Sequence, residues 1–465
     1  MTTIGVVDFG RLNLSDVQLD ALMEVRPSPL LVGGGLPEKD AELLRQQLKG
    51  VFLSNEEVRE VVRKLIGILT AHHQSVFSDG AAFTKGLYLS DPWPDDSFPA
   101  VCVTGLGGVG KTEIKKAFLR LLQKAFESMP LRHIEGHAEL PFRPVWQVSL
   151  AGGTSIGAIL LPMLDVYQQE SICEEHGESF EEKKLPSPSV IRRQARSQSW
   201  RDSTSLIWGD EFQQVSYGSS SNSKAAQLLY QLMLIGPRLV FTGNFSMVRA
   251  LLRRPQQDTQ RLLSVPICVE PTKEGSESAL ALLDAYKAAA PGVFEFDARE
   301  AEPVVHQYTF GINRCKVNLF YHAYIIARKN GRGALRIEDL HAAYVSMDMA
   351  SQRAEVDELL RGEITGAPIR EDLMNPLGYS GKENKPKSSN VTDLTKAKER
   401  FETKVQEDLL MDSLTPEQAA AVENIDVGGK TFLKVPATVT RISRKKPSKE
   451  DLVKGITDFS AGKSG

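Results

Sequence analysis

The eight residues Gly105-Leu-Gly-Gly-Val-Gly-Lys-Thr112 constrain this chain more tightly than any other stretch of it. Glycine at 105 and 110 permits the turn, and the missing side chains let backbone N–H groups approach an anion. A buried strand must deliver the chain to such a turn, and a helix must leave it so that its N-terminal dipole faces the anion. The flanks fit this demand. Ala100–Thr104 is a short apolar run, and Lys115–Phe126 places Ala117, Phe118, Leu121, Leu122 and Ala125 at helical spacing. The motif therefore reads as a phosphate-cradling loop for ATP. Lys111 reaches the β and γ phosphates, Thr112 ligates Mg2+, and Gly105, Gly107, Gly108, Val109, Gly110 and Glu113 complete the cradle. A merely glycine-rich turn would leave Lys111 unexplained.

The texture downstream is strands alternating with helices. Further strands are expected at Pro144–Leu150, Ser205–Trp208, Arg238–Thr242 and Val265–Val269, with helices at Ile156–Tyr167 and about 224–235. That alternation predicts an α/β fold, a parallel sheet flanked by helices. Leu206-Ile-Trp-Gly-Asp-Glu211 ends a buried strand in two acids, about a hundred residues after the loop. Asp210 is placed to hold the magnesium-bound water shell, and Glu211 to orient or activate the attacking water. Solvated carboxylates at a strand end are the ordinary alternative; pairing with the loop gives the acids meaning. Leu239-Val-Phe-Thr-Gly-Asn244 ends in an amide suited to sensing the γ phosphate, or to capping the next helix. Arg253, Arg254 and Arg261 follow, each a candidate finger toward a neighbouring subunit's nucleotide or a solvated surface charge.

From about 275 to 365 the pattern is helical: Ser276–Ala289, Glu300–Phe310, Cys315–Lys329 and Ile337–Leu360. This is an all-helical lid, and Gly311-Ile-Asn-Arg314 is spaced to bring Arg314 to the nucleotide. Before the loop, residues 1–55 read as loop chemistry around the Gly33–Gly35 triplet and Pro37, followed by an amphipathic helix over about 56–75. Residues 171–204 form a polar interruption, partly exposed, with the basic positions Arg192, Arg193, Arg196 and Arg201. After Pro376–Asn390, a linker, the tail has a helix candidate near 393–411 and no acid between Thr431 and Lys449 among Lys434, Arg441, Arg444, Lys445, Lys446 and Lys449. The expected organisation is a partner-docking region at 1–80, a nucleotide-binding core at 81–270, a lid at 271–365, and a linker and flexible tail at 366–465. The formal charge of −3 gives no global basic field, so nucleic-acid contacts would be local. Four scattered cysteines read as reduced thiols, and the absence of a leader or of roughly 18 uninterrupted apolar residues points to a cytoplasmic chain without membrane contact.

The order of motifs resembles AAA+ ATPases: phosphate loop, Asp-Glu acids, polar sensor strand, arginine region, helical lid. More narrowly it resembles the TnsC/TniB family, ATP-dependent regulators of bacterial DNA transposition, through Ser205–Gln214, Phe241–Leu252, Gly311–Ala327 and Arg336–Tyr344. Glu113 departs from that family's usual Thr or Ser, and Asn244 from its more usual Thr. The resemblance implies a ring or filament of copies on double-stranded DNA, contacted through the backbone. It also implies hydrolysis that controls disassembly, and partners of two kinds: transposase subunits and a target-selection protein of TniQ/TnsD type. Arg192, Arg193 and Arg196 would be DNA contacts, unless they belong to a solvated loop. Two other readings stay open, a STAND-type signalling switch and a replication-type loader. The first usually carries two aspartates and a lid GLPL motif, whereas the only Gly-Leu-Pro here is Gly35–Pro37.

Overall fold

The computed structural model describes residues 9–94, 98–126, 131–132, 140–149, 155–164, 187–210, 221–365 and 370–378. Its centre is a parallel sheet of strands β1 (Val101–Gly105), β2 (Val145–Ser149), β3 (Leu206–Asp210), β4 (Arg238–Gly243) and β5 (Val265–Val269), in the spatial order β2-β3-β4-β1-β5. All five residues of β1 are buried, as the central strand of a sheet covered on both faces requires. The register pairs Val103 with Thr242 and Gly209 with Phe241. Thus β4 stands between the loop-bearing strand and the strand that ends in Asp210.

Successive residues of each strand serve opposite layers. Cys102, Ile207, Leu239 and Phe241 share one core with helices α6 (Ile156–Leu160), α7 (Pro188–Arg201), α8 (Ser221–Met233) and α9 (Phe245–Leu252). Val101, Val103, Trp208 and Val240 face the other core. There they meet α1 (Asp16–Met23), α3 (Glu56–Phe77) and α5 (Lys111–Ala125). The expected helix at 156–167 is shorter, giving way to a 3-10 turn at Leu161–Met163, and its residues 165–167 lie outside the described residues.

The expectation of loops over 1–55 is corrected. Ser15 and Gln18 form a reciprocal capping box that starts α1, with Ser15 N donating to Gln18 Oε1 at 2.9 Å. Pro37 opens α2 (Pro37–Lys49), where its fixed φ suits the first helical turn. Leu19 and Met23 are fully buried against the sheet's helix layer. Ala41, Leu44 and Leu48 of α2 are buried instead with α13 (Asn313–Lys329), in the helical core that also holds Phe320 and Tyr324. The N-terminal helices are thus built into both cores.

Three helical residues also change the reading of 171–204. Within α7, Ile191, Ala195 and Trp200 are buried. Trp93 packs edge-on to Trp200, ring centroids 5.4 Å apart, and its Nε1 donates to the Arg196 carbonyl at 2.9 Å. Arg196 returns the favour: Nε meets Asp91 Oδ1 at 2.6 Å, Nη1 donates to the Leu234 carbonyl, and Nη2 to Trp93 O at 3.4 Å. Arg196→Ala should therefore cost about 2 kcal/mol, from charge-assisted bonds at a largely buried group. A melting temperature unchanged by the substitution would contradict this clamp, and nucleotide affinity should not move.

The lid comprises α11 (Glu277–Ala289), α12 (Ala298–Thr309), α13, α14 (Ile337–Val345) and α15 (Ala350–Thr365). The single helix expected over 337–360 is two, because Ser346 is extended (φ −64°, ψ 158°) and a 3-10 turn follows at Met347–Met349. Arg353 Nη1 ties the break together by donating to Tyr344 O at 2.7 Å and Ser346 O at 3.3 Å. The linker beyond 378 and the tail helix near 393–411 lie outside the described residues.

Candidate functional site

The glycine-rich loop runs from the end of β1 into α5. Gly105, Gly108 and Gly110 take φ of 155°, 82° and 119°, angles that side-chain-bearing residues rarely adopt. At Gly105 a Cβ would also lie 2.4 Å from the Val269 carbonyl oxygen of β5. Gly110 caps α5, so Lys111 and Thr112 are its first two residues and stand where the helix dipole is positive. Lys111 Nζ arches over the loop, donating to Gly105 O at 2.9 Å and Leu106 O at 2.8 Å. Glu113 is half-exposed and pairs with Lys116 at 2.7 Å.

Asp210 ends β3 beside the loop helix. Its Oδ2 accepts from Lys115 Nζ at 2.9 Å, and its Oδ1 accepts from the Thr242 hydroxyl. Thr242 is the site residue that sequence reasoning missed. It is the single hydroxyl in the buried run Leu239–Gly243, flanked by Phe241 and Gly243, and that polar intrusion was the available signal. Asn244, read as a γ-phosphate sensor or as a cap for the next helix, caps α9 by accepting from Met247 N at 3.1 Å. Glu211 lies outside the described residues.

The lid closes on the loop from the other side. Arg314 N donates to Gly108 O at 3.2 Å, and Asn313 Nδ2 to Val109 O at 3.4 Å. A Cβ on Gly108 would sit 2.6 Å from Arg314 Cβ, and one on Gly107 3.3 Å from Arg314 Nη2. Exposed Arg314 therefore lies directly over the glycines. Leu106 and Val109 are buried in a seam with Ile312, Cys315, Val356 and Leu359. This apolar seam explains why those loop positions are not glycine. Two helix N-termini, those of α5 and α13, consequently converge on one turn of backbone.

The finger candidates are placed differently from one another. Arg254 Nε pairs with Asp258 at 2.9 Å, whose other oxygen accepts from Tyr230 at 2.8 Å. That phenol hydrogen bond, with Arg254, holds the Asp258 carboxyl below its ordinary range. Arg253 is exposed and 3.5 Å from Glu371. Arg261, on α10 (Gln256–Leu262), is exposed and makes no ion pair with another described residue, while its carbonyl anchors Ala100 N at 2.9 Å. Among the expected DNA contacts, Arg193 is exposed, Arg192 is half-buried, and Arg196 is spent on the clamp described above.

The residues fit a magnesium nucleotide. The glycines form a cradle that Cβ atoms would crowd, a lysine and a hydroxyl start the helix, and a carboxylate stands at the end of β3, two strands from β1. Among the described residues no cluster of three His, Cys, Asp or Glu side chains exists. Mg2+ suits such a sparse set, because it keeps waters and takes phosphate oxygens alongside one or two protein ligands. Cys102, Cys268 and Cys315 are free thiols, and burial pushes the Cys268 thiol up to about 11; Cys173 lies outside the described residues. No described helix is long and apolar enough to cross a membrane.

No family model matches the chain, and no curated protein matches it in sequence. Solved structures similar to it include Aeropyrum pernix ORC1 in complex with DNA, at 14% identity over 67% of this chain and 68% of that one, TM-score 0.39. Drosophila ORC bound to DNA is similar at 14% identity over 77% and 80% of the two chains, TM-score 0.39. Pyrobaculum aerophilum Cdc6p is similar at 16% identity over 70% of each, TM-score 0.33. Likenesses this distant do not assign a family.

Proposed function

We propose that the chain is an AAA+ ATPase of the TnsC/TniB kind, which assembles on double-stranded DNA with ATP and couples target selection to transposase recruitment. The observation that supports it most is the gathering of Lys111, Thr112 and Arg314, from core and lid, at one glycine cradle, with Asp210 held by Lys115 on the helix that leaves it. A bound magnesium nucleotide would supply the transferable γ phosphate and the charge that the site must compensate. The chain's own residues would do the rest. Lys111 would leave the Gly105 and Leu106 carbonyls for phosphate oxygens, a stronger charge-assisted partner. Thr112 and Asp210 would hold the metal. Glu211 would orient water, and Thr242 would keep the Asp210 carboxylate from rotating. Arg314 would report the nucleotide's presence to the lid.

Among the arginines, Arg261 is the finger that the geometry favours, since Arg254 is already neutralised by Asp258. The 1–80 region would dock the target-selection protein, and DNA affinity would come mainly from phosphate neutralisation along an oligomer's inner face. Electron microscopy with a non-hydrolysable ATP analogue and duplex DNA tests the reading. Rings or filaments around DNA are expected; nucleotide-bound monomers indifferent to DNA would favour a signalling switch. Mixing Arg261→Ala with Lys111→Ala chains should restore part of the ATPase rate, as a finger acting in trans requires. No recovery at any ratio would remove Arg261 from that role.

A further inference from the structure

Lys115 stands one helical turn beyond Lys111 on α5, the helix that also carries Thr112. Its Nζ contacts Asp210 Oδ2 at 2.9 Å, and the two side chains are only 14% and 9% exposed. Since the Thr242 hydroxyl serves Oδ1, both oxygens of this carboxylate are held by the chain itself. The ordinary reading of such a pair is neutralisation of a buried acid, which a lone carboxylate there would need. Its position says more. Thr112 and Lys115 are three residues apart, so they share a helical face, and that face meets Asp210. A divalent ion on Asp210 would bring two further positive charges beside the ammonium, in a place where solvent screens weakly. A lysine is a compact charge on a flexible four-carbon stem, able to withdraw without disturbing the helix.

We propose that Lys115 is a positioning residue that competes with the divalent cation for Asp210, so that metal loading displaces its ammonium from the carboxylate. The inference rests on the assignment of Asp210 to the metal made under the proposed function. It concerns binding and positioning alone, with no covalent step.

Manganese binding to the full chain with a non-hydrolysable ATP analogue, read by electron paramagnetic resonance, tests it without turnover. Lys115→Met and Lys115→Gln should each tighten Mn2+ by roughly fivefold to tenfold, because a competing charge is gone. Lys115→Arg keeps the charge and should stay within about twofold of the parent, a discrimination by charge rather than by shape. Without metal or nucleotide, the Met and Gln variants should melt below the parent, and Mn2+ with the analogue should close that gap. Unchanged or weaker Mn2+ binding in both neutral variants overturns the proposal, whatever the melting data show. If the Met variant does not fold, the Gln variant decides alone. Asp210→Asn separates the two layers of the argument. If it leaves Mn2+ affinity intact, the metal assignment fails and the competition with it. If it weakens Mn2+ while the neutral lysine variants do not tighten it, only the competition fails.

Discussion

Lys111→Ala should weaken ATP binding by roughly thirtyfold to a hundredfold, because a positioned ammonium on phosphate oxygens contributes about 2–3 kcal/mol. Few substitutions in the chain should matter as much to function. The side chain starts α5 and arches over the loop, donating to the Gly105 and Leu106 carbonyls. The variant should lose ATP-dependent assembly on DNA. Titration with a fluorescent ATP analogue is the direct measurement. An affinity within about threefold of the parent would mean that the loop does not cradle phosphates.

The largest stability effect is expected at Gly311. Its φ is +68°, and a Cβ there would lie 2.0 Å from the Thr272 carbonyl oxygen, a backbone atom that cannot step aside. Phe310 before it is also left-handed, at φ 50°. Together these residues reverse the chain between α12 and α13 and set Arg314 on the phosphate loop. Gly311→Ala should cost about 2–4 kcal/mol, from strain plus displacement of the lid. Nucleotide affinity should fall with it, since Arg314 moves with α13. Gly331→Ala is the control. That glycine has a similar φ of +75° but open space around its Cβ, so the cost should be about 1 kcal/mol. Equal melting temperatures for the two variants would show that the close approach to Thr272 is not what matters.

Much of the α/β layout was legible because its signals are local. Buried parallel strands are continuous apolar runs, and each expected strand is present to within a residue or two. Helix starts were less legible. The first turn of α5 is Lys111-Thr-Glu, polar because it serves the loop, so apolar periodicity alone places the start at Lys115. At the N-terminus, glycine and proline density outweighed a capping box at Ser15 and an apolar stripe of Ala41, Leu44 and Leu48. The break between α14 and α15 left no proline or glycine to announce it. It is held by Arg353 reaching back to carbonyls, a contact that no local pattern encodes.

At the site the same division holds. The glycine pattern with Lys111 and Thr112 determines the turn and its helix start by itself, since backbone angles and short-range donor placement are properties of eight consecutive residues. Which partners complete it depends on side chains more than ninety residues apart, and only the sheet order settles that. Placing β4 between β1 and β3 brings Thr242 to Asp210, while Asn244 caps the helix that follows. Packing of α7 converts Arg196 from a candidate DNA contact into a clamp on Trp93 and Asp91. The meeting of Lys115 with Asp210 belongs to the same class, because an ion pair across 95 residues is decided by where two elements end in space.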